Sequence, residues 1–130
     1  FARADFISLH VPLTPETSHL INKASFAKIK DSAILINTSR GPVVDTDALF
    51  DALKSGQLAY AALDVTDPEP LPPEHKLLTL SNCLIAPHIG SATVATRNKM
   101  AVMAAENLLA GVSGKVPSHL VNPEVLPHLR

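Results

Sequence analysis

Four short apolar runs punctuate the first two-thirds of the chain: Phe6-Ile7-Ser8-Leu9, Ala33-Ile34-Leu35-Ile36, Leu58-Ala59-Tyr60-Ala61-Ala62-Leu63 and Cys83-Leu84-Ile85-Ala86. Each is 4 to 6 residues long and aliphatic, without sustained polar alternation. That pattern predicts strands buried on both faces of a parallel sheet. Parallel neighbours need crossovers, and the gaps between the runs supply them. In the first gap Asn22 stands as a cap before Ala24 to Lys30. In the second, Asp45-Thr46-Asp47 marks a helix start, where its oxygens suit free amides and the positive dipole end. Leu49, Phe50 and Leu53 then share one face, and Gly56 stands where a left-handed cap belongs.

The third gap differs. Asp67-Pro68-Glu69-Pro70-Leu71-Pro72-Pro73 holds four of the chain's 11 prolines, and proline forbids a long helix there. It reads as a stiffened loop with at most a short helical turn between His75 and Leu80. After the fourth run, Thr93 to Ala110 predicts the longest helix, closed by Gly111. Val94, Ala101, Ala104, Ala105 and Leu108 fall near one stripe, and Met100 and Met103 read as core filler. The tail from Val112 to Arg130 reads as irregular. The order of elements is that of an α/β domain with a parallel sheet.

The segments after the apolar runs carry the chemistry. Run one leads into His10-Val11-Pro12-Leu13-Thr14, run two into Asn37-Thr38-Ser39-Arg40-Gly41, run three into Asp64, and run four into Pro87-His88-Ile89-Gly90-Ser91. Residues dispersed in sequence thus gather at the carboxyl edge of the sheet, where open parallel sheets bind ligands. Arg40 suits a two-pronged grip on a carboxylate, or a surface salt bridge. Asp64 ends an apolar strand, where it needs a partner or caps turn amides. His88 beside a Gly-Ser turn reads as structural or catalytic, and Glu69 as a solvated loop carboxylate or the partner that fixes His88 and favours its protonated form.

Composition narrows the classes. The chain has 130 residues, 46% hydrophobic and 18% charged, which suits one ordinary folded domain. Eleven basic residues against 12 acidic give a formal charge of −1, with no footprint for nucleic acid or an anionic membrane. No apolar run approaches the roughly 20 residues of a membrane span. The lone Cys83 excludes an internal disulfide and points to a reducing, cytoplasmic setting. No Cys/His spacing suits zinc, and no G-x-G-x-x-G, phosphate loop or G-x-S-x-G elbow occurs. The chain opens on Phe1 rather than Met, and the reading is of a fragment.

The segments Ile36-Asn37-Thr38-Ser39-Arg40-Gly41, Ala62-Leu63-Asp64-Val65, Asp67-Pro68-Glu69-Pro70 and Pro87-His88-Ile89-Gly90-Ser91 occur in that order. Together they resemble the D-isomer-specific 2-hydroxyacid dehydrogenases, from Phe1 to about Gly114. Leu77 to Cys83 and His88 to Thr93 look most like the glyoxylate/hydroxypyruvate reductase branch.

The resemblance implies the second half of a doubly wound, Rossmann-type NAD(P)-binding domain over residues 1–92. Residues 93–130 would be a helix and tail returning to an absent substrate domain. It implies that Arg40, Glu69 and His88 are catalytic. Arg40 would hold the substrate carboxylate, His88 would deliver the proton, and Glu69 would orient His88. It implies cofactor contacts at Pro12, Thr38, Asp64 and Gly90, with Asp64 at the nicotinamide carboxamide, and a substrate pocket lined by Ile89, Gly90 and Ser91. The implied cofactor is NAD(P)H, expected as NADPH, with a small 2-oxo or 2-hydroxy acid as substrate, no metal, and a homodimer when full length.

The glycine fingerprint of the family would lie upstream, so the isolated fragment is expected to be inactive. Other readings are 3-phosphoglycerate dehydrogenase, disfavoured by Asn37-Thr38-Ser39-Arg40 and the lack of a following regulatory domain, and formate dehydrogenase, disfavoured by Glu69 where its relatives carry Gln. A corepressor-like, nucleotide-responsive binding module of the same fold and an inactive truncation complete the alternatives.

Overall fold

The computed structural model describes residues 1–128. Residues 129 and 130, the end of the tail read as irregular, lie outside the described part. The apolar runs form β1 (Phe6–Leu9), β2 (Ile34–Asn37), β3 (Tyr60–Leu63) and β4 (Cys83–Ile85). They pair side by side in chain order, all parallel. The register aligns Leu9, Asn37, Leu63 and Ile85, so the strands end together and their exit loops share one edge.

The crossovers follow the caps. Asn22 accepts from the amides of Ala24 and Ser25 at 3.0 and 3.2 Å and starts α1 (Lys23–Phe26). This helix is a single turn, shorter than the stretch to Lys30 expected from sequence. Asp45 caps α2 (Thr46–Ser55) through the Ala48 amide at 3.0 Å. Gly56 closes it at φ 77°, a conformation open to residues without a β-carbon. β3 reaches β4 through the proline-rich loop and a 3-10 turn, Lys76–Thr79.

Side chains pointing to one face of the sheet, among them Leu9, Leu35, Ala61 and Leu63, join Phe26, Leu49, Ala52 and Leu53 in the core. Complete burial of Phe26 stabilises the fold by roughly 1.5–3 kcal/mol. The opposite face departs from the expectation of strands buried on both sides. Phe6 and Leu84 are 68% and 57% exposed there, and Ile34, Ile36, Tyr60 and Ala62 are half-buried. The reason lies in the helices: α1 and α2 contribute to the core on one side only.

The chain divides into two units, residues 1–90 and the remainder. The second begins with α3 (Val94–Val112), capped by Thr93 through the Thr96 amide at 3.1 Å. It runs through Gly111, the expected stop, and the left-handed residue is Gly114 at φ 67°. The reading of Met100 and Met103 as core filler is corrected: no residue of α3 is buried, Met100 is 51% exposed and Met103 is half-buried. A helix carries an apolar stripe by its sequence, but burial needs a partner surface, and local periodicity does not supply one. A further 3-10 segment, Pro123–His128, orders part of the tail read as irregular.

Candidate active site

The loop leaving β2 is held by the polar side chain that ends the strand. Asn37, the last residue of β2, is fully buried, and every polar group of its side chain is used. Its Oδ1 accepts from the Ser39 amide at 3.0 Å and the Ser39 hydroxyl at 2.8 Å, while Nδ2 donates to the Arg40 carbonyl at 2.9 Å. This closed turn delivers Arg40 to the surface in extended conformation. One guanidinium nitrogen, Nη1, donates to the Ser39 carbonyl at 2.7 Å. Arg40 then shares an open cleft of about 610 Å³ with His10, Pro12, Leu13, Thr38 and Ser39.

Gly41 follows because nothing larger fits. A β-carbon there would overlap the Thr66 carbonyl and stand 2.8 Å from the Asp67 nitrogen. The loop carrying Arg40 therefore packs directly on the loop carrying Glu69. Thr46 reinforces the contact, its hydroxyl donating to the Asp67 carbonyl at 3.0 Å. Within the second loop the Thr66 hydroxyl donates to the Pro68 carbonyl at 2.9 Å, and the peptides before Pro68 and Pro70 are cis.

Glu69 faces two donors. Its Oε2 accepts from the Thr66 amide at 3.4 Å, and its Oε1 lies 2.6 Å from His88 Nδ1. The hydrogen bond with His88 holds the Glu69 carboxyl below its ordinary value, against a smaller opposing effect of desolvation. The Thr66 amide and the positive charges of His88 and Arg40 add to the lowering. An ionised carboxylate only accepts, so Nδ1 is the donor and Nε2 remains to face a ligand. A cavity of about 300 Å³ lies beside the pair, lined by Asp64, Glu69, Leu71, Leu78, Pro87 and His88 among others.

The structure thus brings Glu69, His88, Asp64 and Gly90 together, and groups Arg40 with Pro12 and Thr38 in the neighbouring cleft. Asp64 meets the turn amides: its two oxygens accept from Ile89 at 2.7 Å and Gly90 at 2.8 Å. Ile89 is exposed, and Ser91 opens the second unit. Among the other histidines, His10 contacts the Ser8 hydroxyl at 2.7 Å, and His75 caps a 3-10 turn through the Leu77 amide at 3.2 Å.

A family model described as D-isomer specific 2-hydroxyacid dehydrogenase, NAD binding domain, matches residues 1–90. The chain belongs to the D-isomer-specific 2-hydroxyacid dehydrogenases. Its sheet is accordingly part of a Rossmann-type NAD-binding domain. The glyoxylate reductase of Thermofilum pendens is 56% identical to this chain over 124 residues, which is 95% of the chain and 37% of that relative. The crystal structure of the TT0316 protein from Thermus thermophilus matches with a TM-score of 0.88 at 55% identity, covering 92% of the chain and 38% of its own. An NADPH-dependent glyoxylate/hydroxypyruvate reductase from Sinorhizobium meliloti, solved with NADP and malonate, matches at 0.79 and 39%, covering 84% and 34%. The chain therefore spans well under half the length of these relatives.

Two features of the site were not legible as site features. Asn37 sits at the end of an apolar run, and its position was a signal: a buried amide must find partners, and the nearest are in the turn it precedes. Gly41 stands out in sequence only as a neighbour of Arg40, and its contact with Thr66 is tertiary.

Proposed function

We propose that the protein carrying this chain reduces a small 2-oxo acid, glyoxylate or hydroxypyruvate, to glycolate or D-glycerate. The observation that carries the reading is the 2.6 Å contact between His88 Nδ1 and Glu69 Oε1 at the carboxyl edge of a parallel sheet. The residues present fit the nicotinamide end of a dinucleotide: an open cleft with Pro12 and Thr38 on its wall, and Asp64 and Gly90 beside His88. Bound there, the reduced nicotinamide supplies the hydride.

The chain's own residues do the rest. Arg40 grips the substrate carboxylate with guanidinium N–H groups and fixes the carbonyl. Hydride attack turns the carbonyl oxygen into an alkoxide, and His88 delivers the Nε2 proton to it. Glu69 holds the ring through Nδ1, so the proton donor and the Arg40 charge are in position before negative charge develops. In the reverse direction His88 removes the hydroxyl proton. Ile89, Gly90 and Ser91 border the substrate beside His88.

The relative from Sinorhizobium meliloti supports NADPH as the cofactor. The family resemblance supports residues 1–92 as nucleotide-domain half, 93–130 as the part packing on a substrate domain, and a cytoplasmic homodimer as the working form.

The test is Arg40→Ala in the complete protein, assayed with hydroxypyruvate and with a carbonyl compound lacking the carboxylate. Loss of the charged grip lowers kcat/KM for hydroxypyruvate on the order of 10²-fold and leaves the other compound unaffected. Equal turnover of hydroxypyruvate by variant and wild type contradicts the assignment. Cofactor binding without turnover by the wild type would favour a nucleotide-responsive binding module.

A further inference from the structure

His88 adopts φ 55°, in the left-handed region that residues with a β-carbon enter only where their surroundings hold them. The next two residues show the restraint. The amides of Ile89 and Gly90 both turn toward Asp64, one to each carboxylate oxygen, at 2.7 and 2.8 Å. Two successive N–H groups converging on one anion form a nest, and such charge-assisted bonds are among the stronger ones in proteins. The fit is tight, since a β-carbon on Gly90 would stand 2.9 Å from Asp64 Oδ2. The anchor is itself fixed, because the Asp64 amide donates to the Asn37 carbonyl at 2.9 Å.

We propose that Asp64 is the positioning residue for His88, its carboxylate clamping the Ile89–Gly90 amides so that the imidazole meets Glu69 and aims Nε2 into the site. The proposal rests on the reductase reading, in which His88 is the proton donor. It gives Asp64 a task separate from any contact with the nicotinamide. The two tasks lose different things when the carboxylate is altered. A cofactor contact weakens nucleotide binding. A clamp releases His88 from Glu69. The charged groups acting on Glu69 are His88 and Arg40, and only the first is tied to the clamp.

The experiment uses Asp64→Asn in the complete protein. Asparagine keeps the volume but sets an NH₂ group against one of the two amides. Three readouts are taken: NADPH affinity by fluorescence titration, the pH profile of kcat with hydroxypyruvate, and the titration of the Glu69 carboxyl by carbon-13 NMR. The clamp predicts a fall in kcat on the order of 10²-fold from misplacement of the acid, at saturating NADPH and so beyond any weakening of cofactor binding. It also predicts a Glu69 titration shifted upward toward the ordinary carboxylate value as its main hydrogen bond is lost. Gly90→Ala, which crowds the same clamp from the other side, gives the same pattern and serves if Asp64→Asn does not fold. The NMR readout needs no turnover, so an inactive wild type would sink the reductase reading while the shift in Glu69 still decided the clamp. A Glu69 titration that stays in place in a folded variant, with or without weaker NADPH binding, overturns the proposal.

Discussion

Glu69 Oε1 and His88 Nδ1 lie 2.6 Å apart across 19 residues of sequence, joined by loops leaving β3 and β4. The hydrogen bond lowers the Glu69 carboxyl below its ordinary 4.5 and holds it as the carboxylate that accepts from Nδ1. Glu69→Gln keeps the shape and removes the charge. kcat for reduction should therefore fall while NADPH stays bound, because the ring loses its charged acceptor at Nδ1. An undiminished kcat would make Glu69 a bystander. The same shift fixes a stability trend: a carboxyl lowered in the folded state adds stability above its unfolded value and loses it as pH falls through the lowered one. Because Glu69 is largely exposed, the effect on acid unfolding is small, and it is confined to pH values below about 4.5.

Gly41→Ala addresses the packing of the two site loops. The added β-carbon overlaps the Thr66 carbonyl, a backbone atom that cannot swing aside, so the loops must separate. Overpacking of this kind destabilises by about 1–3 kcal/mol, and more where backbone is displaced. Denaturant unfolding would measure it. Activity should fall together with stability, since Arg40 and Glu69 ride on the two loops. A variant as stable and active as wild type would mean that the loops accommodate the methyl group.

The four strands, α2 with both caps, the 3-10 turn and the gathering of Arg40, Asp64, Glu69 and His88 near one edge were all legible in the sequence. They follow from local rules: runs of aliphatic residues, Asp45 and Gly56 at helix ends, and the geometry of parallel sheets. The misreadings share a different cause. Phe6, Leu84 and Met100 are apolar yet exposed, because burial depends on which surface covers a residue. Asp64 suits a turn cap and a ligand group equally well by sequence, and only the fold brings the Ile89 and Gly90 amides to it from 25 and 26 residues away. The left-handed backbone of His88 had no sequence signal, since glycine is the usual mark of that conformation.

The 130-residue chain by itself should bind NADPH and NADH weakly. Pyrophosphate binding in this fold uses a glycine turn at a helix N-terminus, and no G-x-G-x-x-G occurs in the sequence. The exposed apolar residues Phe6, Leu84 and Leu108 should also favour self-association. Calorimetric titration of the purified chain, paired with sedimentation, checks both. Micromolar binding of either nucleotide by a monomer would show that the loops after β1 and β2 hold the dinucleotide without the fingerprint.

The central claim is that His88, oriented by Glu69, protonates the carbonyl oxygen of a 2-oxo acid. The most direct measurement is NADPH-dependent reduction of hydroxypyruvate by the complete protein, wild type and His88→Ala side by side, with the configuration of the product determined. The expected result is turnover to D-glycerate by the wild type and a kcat lower by about 10²–10⁴-fold in the variant, with NADPH still bound. Undiminished turnover in His88→Ala, or no reduction by the wild type with either nucleotide, would contradict the claim.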